Sequence, residues 1–100
     1  MNRTAIREQT FKLVYSLEIQ KQEDLEEALA LYQETNEITD QKAKEYMAET
    51  ILGIQKNKSE IAKQIETNLK SDWRIERISK IDLAILKLAI YELKYTRNTI

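Results

Sequence analysis

The chain has 100 residues, 42% of them hydrophobic, and a formal net charge of −1. It contains no cysteine and no histidine, which excludes disulfides, thiolate nucleophiles, imidazole bases and nearly every zinc, haem or iron–sulfur ligand set. Because it has no proline, one glycine and many good helix formers, we expect one all-α domain over residues 1–100.

The charge is distributed unevenly along the chain. Residues 1–17 carry a net +2, residues 18–50 hold ten acids against three lysines, and residues 51–100 carry a net +4. An acidic middle between basic ends permits an anionic partner on one face. No segment reaches the roughly eighteen apolar residues of a membrane span, and the N-terminus has no apolar signal core. We therefore expect a soluble, cytoplasmic protein.

Helical spacing of apolar residues organises the first two thirds of the chain. It predicts a first helix over residues 3–20 and a second helix from an Asp24 cap to residues 35–36. Apolar residues then stay in phase over residues 40–69, which favours one long helix, although a break at residues 57–59 is the alternative. Gly53 inside this helix predicts close packing against a neighbouring element.

The last third predicts a junction followed by a strongly apolar helix. Trp73 and a short helical turn at residues 75–78 form the expected junction. Ser79 and Asp82 then match a capping box, so the last helix is predicted from Lys80 to about Tyr95. Three lysines seven residues apart form one basic strip on this helix: Lys80, Lys87 and Lys94.

Few side chains suggest catalysis. The carboxylates of the second helix are typical of a solvated face, and there is no phosphate-binding glycine loop, so we expect neither an enzyme nor a cofactor or metal site. Arg3 and Arg7 share one helix face and could hold a phosphate backbone, but on the residues alone ordinary surface arginines are favoured. The tyrosines could stack on bases, although a position at the core edge is favoured for most of them. They are Tyr15, Tyr32, Tyr46, Tyr91 and Tyr95.

Several motifs together resemble the NusB family of bacterial transcription antitermination factors. The most specific is RIS-x-ID at Arg77–Asp82, followed by A-I-L-K-L-A-I-Y-E-L at Ala84–Leu93 and preceded by Trp73. The opening R-x-x-x-R-E…L-V-Y pattern and G-I-x-x-N at Gly53–Asn57 are also similar to the family, so the resemblance covers the whole chain.

The resemblance implies an all-helical, non-enzymatic factor of the transcription complex. Such a factor binds boxA-type RNA together with the small-subunit ribosomal protein that acts as NusE. The implied RNA-binding residues are Arg3, Arg7, Lys12 and Tyr15. The implied partner-binding residues are Lys80, Asp82 and Lys87.

The family normally continues for two further helices, so we expect a NusB-like helical bundle lacking the last two helices. The apolar side chains of the last helix should then stay partly uncovered in one chain and be buried by a second copy. They are Ile81, Ile85, Leu86, Leu88, Ile90 and Leu93. Two alternatives stay open: a purely structural oligomerisation module, and a NusB-like RNA-binding domain of an RNA methyltransferase.

Overall fold

A computed structural model describes residues 2–20, 24–68 and 77–95, and within these ranges the chain is all-α. The helices are α1 (Arg3–Ile19), α2 (Leu25–Thr35), α3 (Gln41–Lys56), α4 (Lys58–Thr67) and α5 (Lys80–Tyr95). The predicted all-α class is confirmed, as are the limits of α1, α2 and α5 to within a residue or two. Trp73 and the first two residues of the turn predicted at residues 75–78 lie outside the described residues.

Polar side chains define where four of the helices begin. In each case a side-chain oxygen accepts a hydrogen bond from a backbone N–H of the first turn, which satisfies a donor that the helix itself cannot pair. The capping residues are Asn2 for α1, Asp24 for α2, Asp40 for α3 and Ser79 for α5. Asp24 and Ser79 act as the sequence predicted, and the backbone N–H of Asp82 lies 3.2 Å from the Ser79 hydroxyl.

The prediction of one helix over residues 40–69 is wrong, because the helix is interrupted at Asn57, between α3 and α4. This residue has φ −106° and ψ 19°, and its side-chain amide donates to the Gly53 carbonyl at 2.8 Å. The Asn57 backbone N–H also donates to that carbonyl, at 3.1 Å. A side chain that competes for a helical acceptor favours the end of a helix. Ile61 and Ile65 are still buried, which is why the apolar spacing looked continuous.

Helix α5 packs against α1, α3 and α4, so it joins the two clusters that form the core. The larger cluster contains Ile6, Leu13, Val14, Leu29, Ile38, Ala43, Met47, Ile51 and Ala84. The smaller one contains Ile61, Ile65 and Leu83. Gly53 of α3 faces the Tyr91 ring of α5, which confirms the close approach predicted for the glycine. All five tyrosines are half-buried, as expected for residues at the core edge.

One side of α5 is left uncovered by the described residues. Ile81, Ile85 and Leu93 are exposed by 46%, 49% and 86%, in agreement with the sequence prediction, and Leu86 and Ile90 are half-buried. Leu88 is buried, so the prediction for that residue is wrong. It lies one turn from the buried residues Ala84 and Glu92 and therefore shares their inward face.

Candidate nucleic-acid interface

A stripe of basic and aromatic side chains runs along α1. Arg3, Arg7, Phe11 and Tyr15 follow one another at intervals of four residues, so they lie on one side of the helix. Ile6, Thr10, Leu13 and Val14 of the same helix are buried and form the neighbouring face of α1. Arg3 and Arg7 are exposed, while Phe11 and Tyr15 are half-buried at the edge of the core. These four residues are called the arginine–aromatic stripe below.

The aromatic half of the stripe is a stacked pair. The ring centroids of Phe11 and Tyr15 lie 6.3 Å apart, with only 4° between the ring planes. Partly exposed aromatic rings accept bases of any sequence by stacking, which is how many proteins hold single strands. The sequence analysis named Tyr15 as an RNA-binding residue but did not name Phe11. The spacing of four residues from Arg7 to Phe11 and on to Tyr15 was the available signal.

Lys12 lies beside the stripe and is also exposed. Its ammonium group lies 3.2 Å from the Glu8 carboxylate one turn earlier, and both side chains are more than half exposed. Exposed pairs of this kind contribute little to stability. A phosphate could therefore replace Glu8 as the partner of Lys12 at small cost.

Arg7 is anchored to α5 by a carboxylate that the sequence analysis did not single out. Its Nη2 donates to Glu92 Oε1 at 2.8 Å, and this pair joins α1 to the buried face of α5. The hydrogen bond to Glu92, and then the negative charge of Glu92, raise the pKa of Arg7 above its ordinary value. The Arg7 side chain is still 48% exposed, so part of its five N–H donors face solvent.

The surroundings of Glu92 are polar but incompletely paired. Its Oε2 atom is buried and has no hydrogen-bond partner in the described part of the chain. The buried Tyr46 hydroxyl lies near Arg7 and Thr50. Burial, followed by the charge of Glu92, raises the pKa of Tyr46. The sequence signal for Glu92 was a single acid in an apolar run, four residues after Leu88 and eight after Ala84.

The three partner-binding candidates on α5 occupy different environments. Lys80 and Asp82 are exposed at the start of the helix, whereas Lys87 is largely buried and forms an ion pair with Glu18 of α1. Lys94 of the same strip pairs with Glu60 of α4 at 2.9 Å. Two lysines of the strip, Lys87 and Lys94, therefore link α5 to α1 and α4 through ion pairs. Lys80 and Lys87 also line one groove of about 490 Å³ between α1, α3, α4 and α5.

The structure does not bring the partner-binding candidates into the arginine–aromatic stripe. Lys80 lies twelve residues before Glu92, which contacts Arg7, so the two points are about 18 Å apart along α5. The chain thus carries two separate candidate surfaces. One is basic and aromatic on α1, and the other is charged and apolar at the start of α5.

These features define an all-helical protein whose first helix carries exposed arginines beside two stacked, half-buried aromatic rings. The described residues hold no group of three or more acids close enough to bind a metal ion, and none of their helices is long and apolar enough to cross a membrane.

Comparison with known protein families identifies the family to which this chain belongs. The NusB family model matches residues 4–99, and the chain belongs to the NusB family. The resemblance inferred from the sequence is therefore confirmed.

Curated relatives are named transcription antitermination protein NusB. One from Clostridium botulinum (strain Hall) is 42% identical over 111 residues, covering 98% of this chain and 76% of the relative. Another, from Acetivibrio thermocellus, is 45% identical over 96 residues, covering 93% and 62%. A third, from Listeria monocytogenes serotype 4a, is 35% identical over 95 residues, covering 95% and 68%. No solved structure gives a significant match.

Membership in this family assigns the chain to the non-enzymatic transcription antitermination factors. The prediction that the chain is not an enzyme is confirmed by that membership.

Proposed function

We propose that this chain binds boxA-type RNA through α1 and acts in antitermination together with the small-subunit ribosomal protein that serves as NusE. The observation that carries the proposal is the arginine–aromatic stripe, which places two guanidinium groups and two stacked rings along one side of a single helix. Guanidinium groups suit phosphates, and aromatic rings suit unpaired bases.

The basic end of the stripe would hold the RNA backbone. Arg3 lies in the first turn of α1, at the positive end of the helix dipole. A phosphate beside Arg3 and Arg7 gains from both guanidinium groups and from this dipole. Lys12 adds a third positive charge at the side of the stripe, where it can contact a phosphate of the RNA strand.

The aromatic end would hold bases. Phe11 and Tyr15 follow the arginines in the next two turns, so a strand whose phosphates lie on Arg3 and Arg7 can lay its bases on the rings. Stacking of this kind tolerates any base. Sequence preference for a boxA-type RNA would then come from additional contacts to base edges.

The start of α5 is the proposed surface for the ribosomal protein. Lys80 and Asp82 are exposed beside the exposed apolar residues Ile81 and Ile85. An apolar centre with a charged rim is the usual composition of a protein interface. Lys87 contributes indirectly in this proposal, because its ion pair with Glu18 fixes the helix that carries the surface.

A titration of labelled boxA-type RNA, with and without the ribosomal protein, tests both surfaces. Arg3→Ala and Arg7→Ala should each weaken RNA binding roughly tenfold, since each removes a charge-assisted contact. Lys63→Ala is the matched control, because Lys63 is an exposed cation on α4. Asp82→Ala should leave binding of RNA alone unchanged and reduce the gain that the ribosomal protein provides. The α1 face is wrong if neither arginine variant binds RNA more weakly than the Lys63 control.

Homo-oligomerisation through α5 stays a prediction of the exposed residues Ile81, Ile85 and Leu93. Sedimentation equilibrium without RNA tests it, and a monomer at high protein concentration would contradict it. Of the remaining alternatives, an RNA methyltransferase domain is less favoured, because the curated relatives reported above are named antitermination proteins.

A further inference from the structure

Glu92 is a buried acid whose burial is not explained by packing. Its side chain is only 7% exposed, and it lies on the inward face of α5 among apolar residues. One carboxylate oxygen accepts from Arg7, and the other is buried with no hydrogen-bond partner among the described residues.

Such an arrangement is a poor way to stabilise a fold. Removing a carboxylate from water is costly, and apolar replacements of buried ion pairs are often neutral or stabilising. A leucine at position 92 would continue the apolar face that Ala84 and Leu88 form on α5. The acid therefore calls for an explanation other than stability, and it accepts a hydrogen bond from Arg7 of the arginine–aromatic stripe.

We propose that Glu92 is a positioning residue for RNA binding, which holds the Arg7 guanidinium so that its solvent-facing N–H donors meet an RNA phosphate. This inference rests on the proposed function of α1. A free arginine side chain loses much rotamer freedom when it binds a phosphate. Arg7 Nη2 already donates a hydrogen bond to Glu92 Oε1 at 2.8 Å. The Arg7 side chain is therefore ordered before RNA binds.

The sign of the effect separates positioning from simple electrostatics. Glu92 carries a negative charge, so its removal should tighten RNA binding if only net charge matters. Positioning predicts the opposite, since a released Arg7 must be ordered on binding.

A second ion pair between the same helices supplies the control. Lys87 and Glu18 also join α5 to α1, and the Glu18 side chain is largely buried, but neither residue belongs to the stripe. Glu18→Gln removes the same charge from the same pair of helices without touching Arg7.

The experiment measures the affinity of the full chain for labelled boxA-type RNA in five proteins. They are the unsubstituted chain, Glu92→Leu, Arg7→Ala, the Arg7→Ala/Glu92→Leu double variant and Glu18→Gln. We expect Glu92→Leu to weaken binding about three- to tenfold in the presence of Arg7 and to have no effect in the Arg7→Ala background. Glu18→Gln should bind as tightly as the unsubstituted chain or more tightly.

Thermal unfolding of each variant accompanies the titrations. A Glu92→Leu protein that is as stable as the unsubstituted chain but binds RNA more weakly supports positioning, because a purely structural role would lower both. If Glu92→Leu does not fold, Glu92→Gln is used instead. Glutamine keeps the shape of the side chain but removes its charge. We therefore expect Glu92→Gln to weaken RNA binding, but by less than Glu92→Leu.

Three results overturn the inference. The first is unchanged or tighter RNA binding by Glu92→Leu, and the second is an equal loss with and without Arg7. The third is an Arg7→Ala protein that binds RNA normally, which removes the proposed RNA face as well. The first two leave the proposed function intact, so the two failures can be told apart.

Discussion

The contact between Gly53 of α3 and Tyr91 of α5 gives a stability prediction whose sign can be worked out. A Cβ added at Gly53 would lie 2.7 Å from Tyr91 Cζ, which is well inside van der Waals contact. The Tyr91 hydroxyl also donates to the Glu49 carbonyl at 3.2 Å, so the ring cannot move away without weakening that bond. A substitution at Gly53 therefore pushes against a ring that is held in place.

Two opposing free-energy contributions decide whether Gly53→Ala stabilises or destabilises the protein. Alanine is favoured over glycine inside a helix by about 1 kcal/mol. Overpacking of a tight contact costs about 1–3 kcal/mol, and loss of the Tyr91 hydrogen bond adds about 1 kcal/mol. The steric cost and the lost hydrogen bond together are larger, so we expect Gly53→Ala to lower the free energy of unfolding by about 1–3 kcal/mol. For a domain of this size, that corresponds to a fall in Tm of roughly 4–24 °C.

Urea unfolding followed by circular dichroism measures this change. The midpoint should fall while the slope of the free energy against urea stays constant, since the surface exposed on unfolding is the same. The matched control is the same substitution in a Tyr91→Leu background, where the ring is absent. There, Gly53→Ala should stabilise by about 0.5–1 kcal/mol, because only helix propensity remains. A stabilising effect of Gly53→Ala in the unsubstituted chain would refute the reasoning.

Three further predictions concern other parts of the chain. Glu37 has φ 53° just after α2, in a position that favours glycine, so Glu37→Gly should raise the free energy of unfolding by about 0.5–1 kcal/mol in urea titrations. Burial raises the pKa of Tyr46 above its ordinary 10.0, so the unfolded chain ionises first and stability should fall as pH rises through and above 10.0. Tyr46→Phe should reduce that loss in unfolding curves measured at alkaline pH, and an unchanged pH dependence would contradict the assignment. Phe11→Leu and Tyr15→Leu keep an apolar contact with the core but remove the rings, so each should weaken RNA binding by about 1–3 kcal/mol per lost base contact. Equal affinities for these variants and the unsubstituted chain would exclude base stacking on α1.

Local sequence signals predicted most of the helices. Asp24 and Ser79 marked helix starts because capping depends on a side chain and a backbone N–H only three residues apart. The break at Asn57 was harder to predict, because Ile61 and Ile65 continue the apolar spacing of α3. The backbone angles of Asn57 and the hydrogen bond from its side-chain amide to the Gly53 carbonyl distinguish two helices from one.

Long-range pairing was not predictable from the sequence. Arg7 and Glu92 are 85 residues apart, and Lys87 and Glu18 are 69 residues apart. Helical periodicity tells which side of a helix is apolar but not which helix covers it. The lysine strip on α5 was therefore expected to face a partner, although Lys87 pairs within the chain.

The central claim is that α1 binds an RNA backbone through Arg7. The most direct measurement is the dependence of RNA affinity on salt concentration for the unsubstituted chain and for Arg7→Ala. Each phosphate contact on a single strand contributes about −0.7 to the slope of log K against log salt. We expect a slope that is less steep by about 0.7 for Arg7→Ala, together with weaker binding at low salt. Identical slopes and affinities for the two proteins would contradict it.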